Sequence, residues 1–159
     1  DRGLVGSEMC IRDRIDVVAT DHAPHTKEEK SNSYFKAPSG GPLVQHALVA
    51  MLDLVHDGLL PVEKVVDLMA HRVARLFRMA DRGFIRPGMK ADLVVVQPND
   101  PWTVHEGNVM SKCGWSPFQG HTFKSRVHET WVNGTQVWDG QRITTTHGHH
   151  VGERLTFAR

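Results

Sequence analysis

The stretch that most limits how this chain can fold is IDVVAT at residues 15–20, followed at once by DHAPH. A short, β-branched run that is apolar on both faces predicts a strand of a parallel sheet covered on both sides. Parallel neighbours need crossover helices, so the run selects an α/β architecture. In such sheets and barrels the loops beyond the carboxyl ends of the strands build the active site. Asp21, His22 and His25 therefore stand where chemistry is normally placed. A carboxylate at a strand end can ligate a cation such as zinc and can also shuttle a proton. His25, further along the loop, can turn back and donate to an anionic substrate. On these residues alone, an aspartate capping a turn beside two solvated histidines fits as well.

The rest of the chain divides at Asp81. After a polar loop over 21–42, Leu43, Ala47, Leu48, Met51, Leu52 and Val55 recur at helical spacing, with Gly58 as the stop. Pro61 opens a second helix with an apolar stripe of Val65, Val66, Leu68 and Met69, and Ala74, Leu76 and Phe77 mark a third. Beyond Asp81 the apolar period shortens to two. RGFIRPGMKADLVVVQ predicts a short strand, a turn at Pro87-Gly88 and a buried strand over 92–96. TWVNGTQVW predicts a hairpin turning at Asn133-Gly134. Leu155 and Phe157 are the apolar anchors of an otherwise polar tail.

Composition excludes several classes. The 159 residues, 40% hydrophobic, are enough for the core of one ordinary domain. Lys plus Arg number 19 against 18 Asp plus Glu, so no net field favours nucleic acid or an anionic membrane. Cys10 and Cys113 are too few for a disulfide framework. No run approaches the roughly 20 apolar residues of a membrane span, and no signal peptide is evident, so a reducing cytoplasm is the expected setting. Residues 1–14, DRGLVGSEMCIRDR, follow neither structural period and resemble a translated sequencing-adaptor peptide. They are expected to be non-native.

TDHAPHTKEEK, residues 20–30, resembles the second signature of dihydroorotases, the cyclic amidohydrolases of pyrimidine biosynthesis. GFIRPGMKADLVVV, NDPWTV, KCGWSPFQG and GERLTF resemble later dihydroorotase segments, in order, from about Ile15 to Arg159. The resemblance implies the C-terminal part of a metal-dependent (β/α)8 barrel over 15–80, followed by a small β-sandwich over 81–159. It implies one or two zinc ions, with Asp21 as metal ligand and proton carrier and His25 as a ligand of the substrate carboxylate. The main chain at Pro38 and Ser39 would contact the dihydropyrimidine ring. Ser39 departs from the glycine common in the family, and a side chain there limits how closely the backbone approaches. The implied reaction is reversible cyclisation of N-carbamoyl-L-aspartate to L-dihydroorotate, with those small molecules as partners. A homo-oligomer or a carbamoyltransferase partner is left open.

A whole barrel takes about 250 residues, so the chain is expected to be a fragment, inactive alone, with its remaining metal ligands upstream. Allantoinase or hydantoinase chemistry, and a catalytically silent dihydroorotase-like subunit, are the alternatives. Other residues take plainer readings. HGHH at 147–150 follows no apolar strand and reads as a solvated loop. KEEK at 27–30 reads as a solvated loop as well, with Lys27 and Lys30 as surface charges. Trp102, Trp115, Trp131 and Trp138 are expected to pack the β region and Cys113 to be a packed thiol, while His46, His56 and His71 need no function.

Overall fold

The computed structural model describes residues 15–145 and 151–158. The adaptor-like residues 1–14 and the HGHH motif at 147–150 lie outside the described residues. Helices α1 (Lys27–Lys30) and α2 (Ala47–His56) come first, and a longer helical run follows. That run joins α3 (Val62–Val66), a π-helical turn (Asp67–His71) and α4 (Arg72–Leu76). Five strands complete the order among the described residues: β1 (Leu93–Gln97), β2 (Trp102–Thr103), β3 (Thr122–Phe123), β4 (Arg126–Val132) and β5 (Thr135–Trp138).

Helix α2 ends as its sequence predicts. Gly58 takes φ +72°, the Gly58 amide donates to Val55 O at 3.0 Å, and the Leu59 amide donates to Leu54 O at 2.9 Å. The left-handed glycine lets the chain reverse while both terminal carbonyls find donors. The second and third expected helices are instead one continuous run. The π turn inserts a residue at its middle, where the Arg72 amide reaches back to Asp67 O and the Arg72 guanidinium meets the Asp67 carboxylate at 2.6 Å. Val65, Leu68 and Ala74 are buried, whereas Val66, Leu76 and Phe77 face outward, correcting the expected stripe.

Residues 15–20 are a second correction. They form no β ladder and are nowhere fully buried. Val18 instead donates its amide to Leu68 O at 3.2 Å, and Arg72 holds Ile15 O at 3.1 Å. A parallel strand takes its hydrogen bonds from strands alongside it, and no described strand runs alongside this one.

The β region contains a three-stranded antiparallel sheet in the order β1-β4-β5 and a separate β2–β3 pair. The β4–β5 hairpin turns through Asn133 at φ 49° and Gly134 at φ 80°, the two left-handed residues of a type I′ turn. Pro87-Gly88 also turns as predicted, closed by the Met89 amide on Arg86 O at 3.1 Å. Two expectations fail here. β1 is paired but mostly exposed rather than buried, because β4 covers one edge and no described layer covers both faces. The short strand expected before the Pro87-Gly88 turn is absent: Phe84 lies flat on His71, ring centres 4.5 Å apart, beneath the Arg86 guanidinium. The tail is held by backbone rather than by buried side chains. Ala80 donates to Thr156 O and Ala158 to Arg78 O, while Leu155 and Phe157 stay exposed.

The core lies where α2 meets the β2–β3 pair. Val49, Val104 and Phe123 are buried there, with Trp102, Val109, Phe118 and Val127 packed around them. Trp102, Trp131 and Trp138 are partly buried, as packing residues would be, and each indole also donates a hydrogen bond within the β region. His46 was expected to be incidental, yet it is buried against the rings of both Trp102 and Phe123, with Nδ1 3.2 Å from Ser116 Oγ. Burial without a charge partner lowers its pKa, because the imidazolium is desolvated. Polar contacts fasten the exposed side of α2: Asp53 meets His121 Nε2 at 2.8 Å and the Lys124 amide at 3.0 Å, and His56 meets Ser125 Oγ at 3.0 Å. Cys113 is half-buried, its Sγ 3.1 Å from Ser111 Oγ.

Candidate active site

Asp21 is exposed, and its backbone is left-handed at φ 45°. That region is sparsely used by residues with a Cβ, although aspartate tolerates it better than most. The kink ends the extended segment 15–20 and turns the chain into the polar loop. His22 Nδ1 accepts the Val44 amide at 3.3 Å, so this imidazole braces the loop against the start of the α2 segment. His22 and Gly41 form a parallel bridge, and the Ala23 amide donates to Gly41 O at 3.2 Å. These contacts bring residues 21–25 beside residues 38–41.

The intervening loop is ordered by its own side chains. KEEK is a one-turn helix rather than the loop expected. Thr26 Oγ1 accepts the Glu29 amide at 3.2 Å and the Glu29 carboxylate accepts the Thr26 amide at 2.8 Å, a reciprocal capping box. The T-x-x-E spacing carries that signal in the sequence. The same Glu29 carboxylate lies 3.5 Å from His25 Nδ1 and so orients that ring. Trp115, expected only to pack, donates its indole N–H to His25 O at 2.7 Å, tying the loop to the β region. Lys27 pairs with Glu106, and its ammonium holds the Glu106 carboxyl below the usual carboxylate range.

Lys30 was expected to be a free surface charge. Its ammonium instead donates to Pro38 O at 2.7 Å and to Gly40 O at 2.9 Å, leaving Ser39 exposed between two held carbonyls. Gly40 has φ +96°, and a Cβ there would lie 2.5 Å from Ala23 Cβ. Only glycine lets the two stretches approach this closely. Nothing local in the sequence announces the Lys30 contacts, which span eight and ten residues of loop.

A metal centre needs three or four converging donors. Among the described residues no group of three or more His, Cys, Asp or Glu side chains is placed to hold an ion. Asp21 has the exposure and chemistry of one ligand, but the described residues do not themselves compose a centre.

Comparison with known proteins gives the family of the chain. The amidohydrolase family model matches residues 32–138, and the chain belongs to that family. The dihydroorotase of Halobacterium salinarum is 44% identical over 144 residues, covering 91% of this chain and 34% of the relative. That of Clostridium acetobutylicum is 39% identical over 128 residues, covering 80% and 30%. The chain thus spans about a third of the length of the curated relatives it matches. Among solved structures, the L-hydantoinase (dihydropyrimidinase) of Arthrobacter aurescens superposes with a TM-score of 0.88 at 26% identity, covering 96% of this chain and 35% of that one. A Thermus sp. D-hydantoinase gives 0.82 at 26% identity, covering 89% and 32%. The fold class is therefore α/β, a C-terminal part of a TIM-barrel amidohydrolase with its β-sheet region. No described helix is long and apolar enough to cross a membrane.

Proposed function

We propose that this chain is the C-terminal part of a dihydroorotase, with residues 15–80 closing the barrel and residues 81–159 forming the β-sandwich. The observation that carries the reading is the TDHAPHTKEEK loop, which holds an exposed Asp21 on a left-handed kink beside the clamped 38–41 stretch. The 44% identity to a dihydroorotase over most of the chain supports it. Asp21 would be one carboxylate ligand of a centre of one or two zinc ions, the other ligands coming from outside the described residues. Bound zinc supplies an activated water. Asp21 would take the proton that this water gives up and pass it to the ring nitrogen as the amide opens. His25, aimed by Glu29, binds the substrate carboxylate, and the main chain at Pro38 and Ser39 meets the ring. The balanced composition and two cysteines support a cytoplasmic setting and a small-molecule substrate.

A hydantoinase is the second reading, favoured by the TM-score of 0.88 to an L-hydantoinase. Steady-state kinetics of the complete enzyme separate the two. A dihydroorotase turns over dihydroorotate in preference to hydantoin, which has no carboxylate. His25→Ala then raises KM for dihydroorotate while leaving hydantoin turnover unaffected. Preference for hydantoin, or equal impairment on both substrates, overturns the proposal.

A further inference from the structure

We propose that Lys30 is a positioning residue for substrate: its ammonium sets the path of the Pro38–Gly40 main chain, so that the Ser39 segment is presented to the ring in one conformation. The inference rests on the reading above, in which that main chain touches the cyclic amide. Lys30 closes the loop on itself, donating to Pro38 O at 2.7 Å and Gly40 O at 2.9 Å, and stands at the end of a helix whose start is fixed by the Thr26–Glu29 capping box. The far end of the loop is fixed separately, by Gly40 against Ala23 and by the Ala23 amide on Gly41 O. Between those anchors, residues 31–37 are mostly exposed, and Tyr34 and Phe35 are about nine-tenths solvent-accessible, at 89% and 95%.

A loop so exposed has little packing of its own to choose a conformation. Lys30 supplies the choice through two charge-assisted hydrogen bonds, which are shorter and stronger than neutral ones. The acceptors bracket the exposed Ser39 and Gly40, so the contact fixes the peptide plane before Ser39 and the one after Gly40. The ammonium is thereby spent on carbonyls, which separates this role from direct binding of a substrate carboxylate.

The test uses the complete enzyme with Lys30→Met and Lys30→Arg, assayed on dihydroorotate and on hydantoin and followed by amide hydrogen exchange. Lys30→Met should raise KM about tenfold for whichever of these cyclic amides the unaltered enzyme turns over, with kcat within about threefold, the pattern of lost binding rather than lost chemistry. Exchange at residues 39–41 should quicken. Lys30→Arg retains donors for two carbonyls and should recover most of the lost affinity. A KM within twofold of the unaltered enzyme, with exchange quickened or not, overturns the proposal and leaves the dihydroorotase reading standing. So does a KM rise on dihydroorotate without one on hydantoin in an enzyme that turns over both, which would mean that Lys30 binds the carboxylate itself. An unaltered enzyme that turns over neither cyclic amide overturns both proposals.

Discussion

The loop over 21–41 and the core between α2 and the β2–β3 pair are built on opposite principles. The core excludes water around Val49, Val104, Phe123 and the buried His46, so its geometry follows from packing. The loop is mostly exposed and is shaped by discrete donors and acceptors: the capping box, the Glu29–His25 pair and the Lys30 contacts. Apolar burial is non-directional and tolerates repacking, whereas each polar tether fixes one atom against another. A site that must present a carboxylate and a main-chain segment to a polar substrate needs the second kind of order. The two regions meet at Trp115, whose segment contributes Ser116 to the core while its indole holds His25 O.

The contrast predicts that damage to the loop shows in catalysis and damage to the core shows in stability. The largest effect is expected at Asp21 in the complete enzyme. Asp21→Asn keeps the shape but removes the base, so kcat should fall by about 10²–10⁴ in both reaction directions with the unfolding midpoint little changed. A loss of folded protein in place of a loss of rate would break the comparison. Phe123→Ala empties the centre of the core and should cost about 3–5 kcal/mol, measured by denaturant unfolding, with kcat per folded molecule retained.

A smaller effect is expected from pH. Burial depresses the pKa of His46 in the folded protein, so below the ordinary histidine value of about 6.5 the unfolded chain binds the proton that the folded one refuses. Stability contributed by the neutral ring should therefore be intact above that pH and decline as pH falls through it towards the depressed folded value. His46→Phe should flatten that part of the stability profile. The smallest effect belongs to the cap: Thr26→Ala should cost the α1 turn about 1 kcal/mol. It should appear as faster amide exchange at residues 28–31 and a modest rise in KM, without a shift of the core's unfolding transition.

What was legible in the sequence was what neighbouring residues decide among themselves. Gly58, Pro87-Gly88 and Asn133-Gly134 each demand a particular backbone reversal, and each reversal is present. The capping box carried a signal too, Thr26 and Glu29 three positions apart, but the expectation for KEEK was a solvated loop, and the helix there corrects it. Residues 15–20 and β1 misled for a shared reason. An apolar β-branched run reports that a strand would be comfortable when covered, and the covering residues are set by partners remote in sequence. His46 misled because one polar residue at a helix start carries no sign of the aromatic rings that converge on it from 102 and 123. The positions of Asp21 and His25 on one loop were plain from their spacing, but the Lys30 contacts that shape the same loop depend on how the chain returns.

The Asn133-Gly134 turn has a consequence for how the protein ages. Asparagine followed by glycine is the pair most prone to deamidation, because the glycine amide attacks the asparagine side chain to form a cyclic imide. Here that amide donates to Ala91 O at 3.0 Å, while the asparagine carboxamide is held by Arg82 at 2.9 Å and by Val151 O at 2.6 Å. Nucleophile and target are both engaged elsewhere, so the reaction waits for the hairpin to open. The slow appearance of aspartate and isoaspartate at residue 133 during storage is then a chemical clock for local opening of the β4–β5 hairpin.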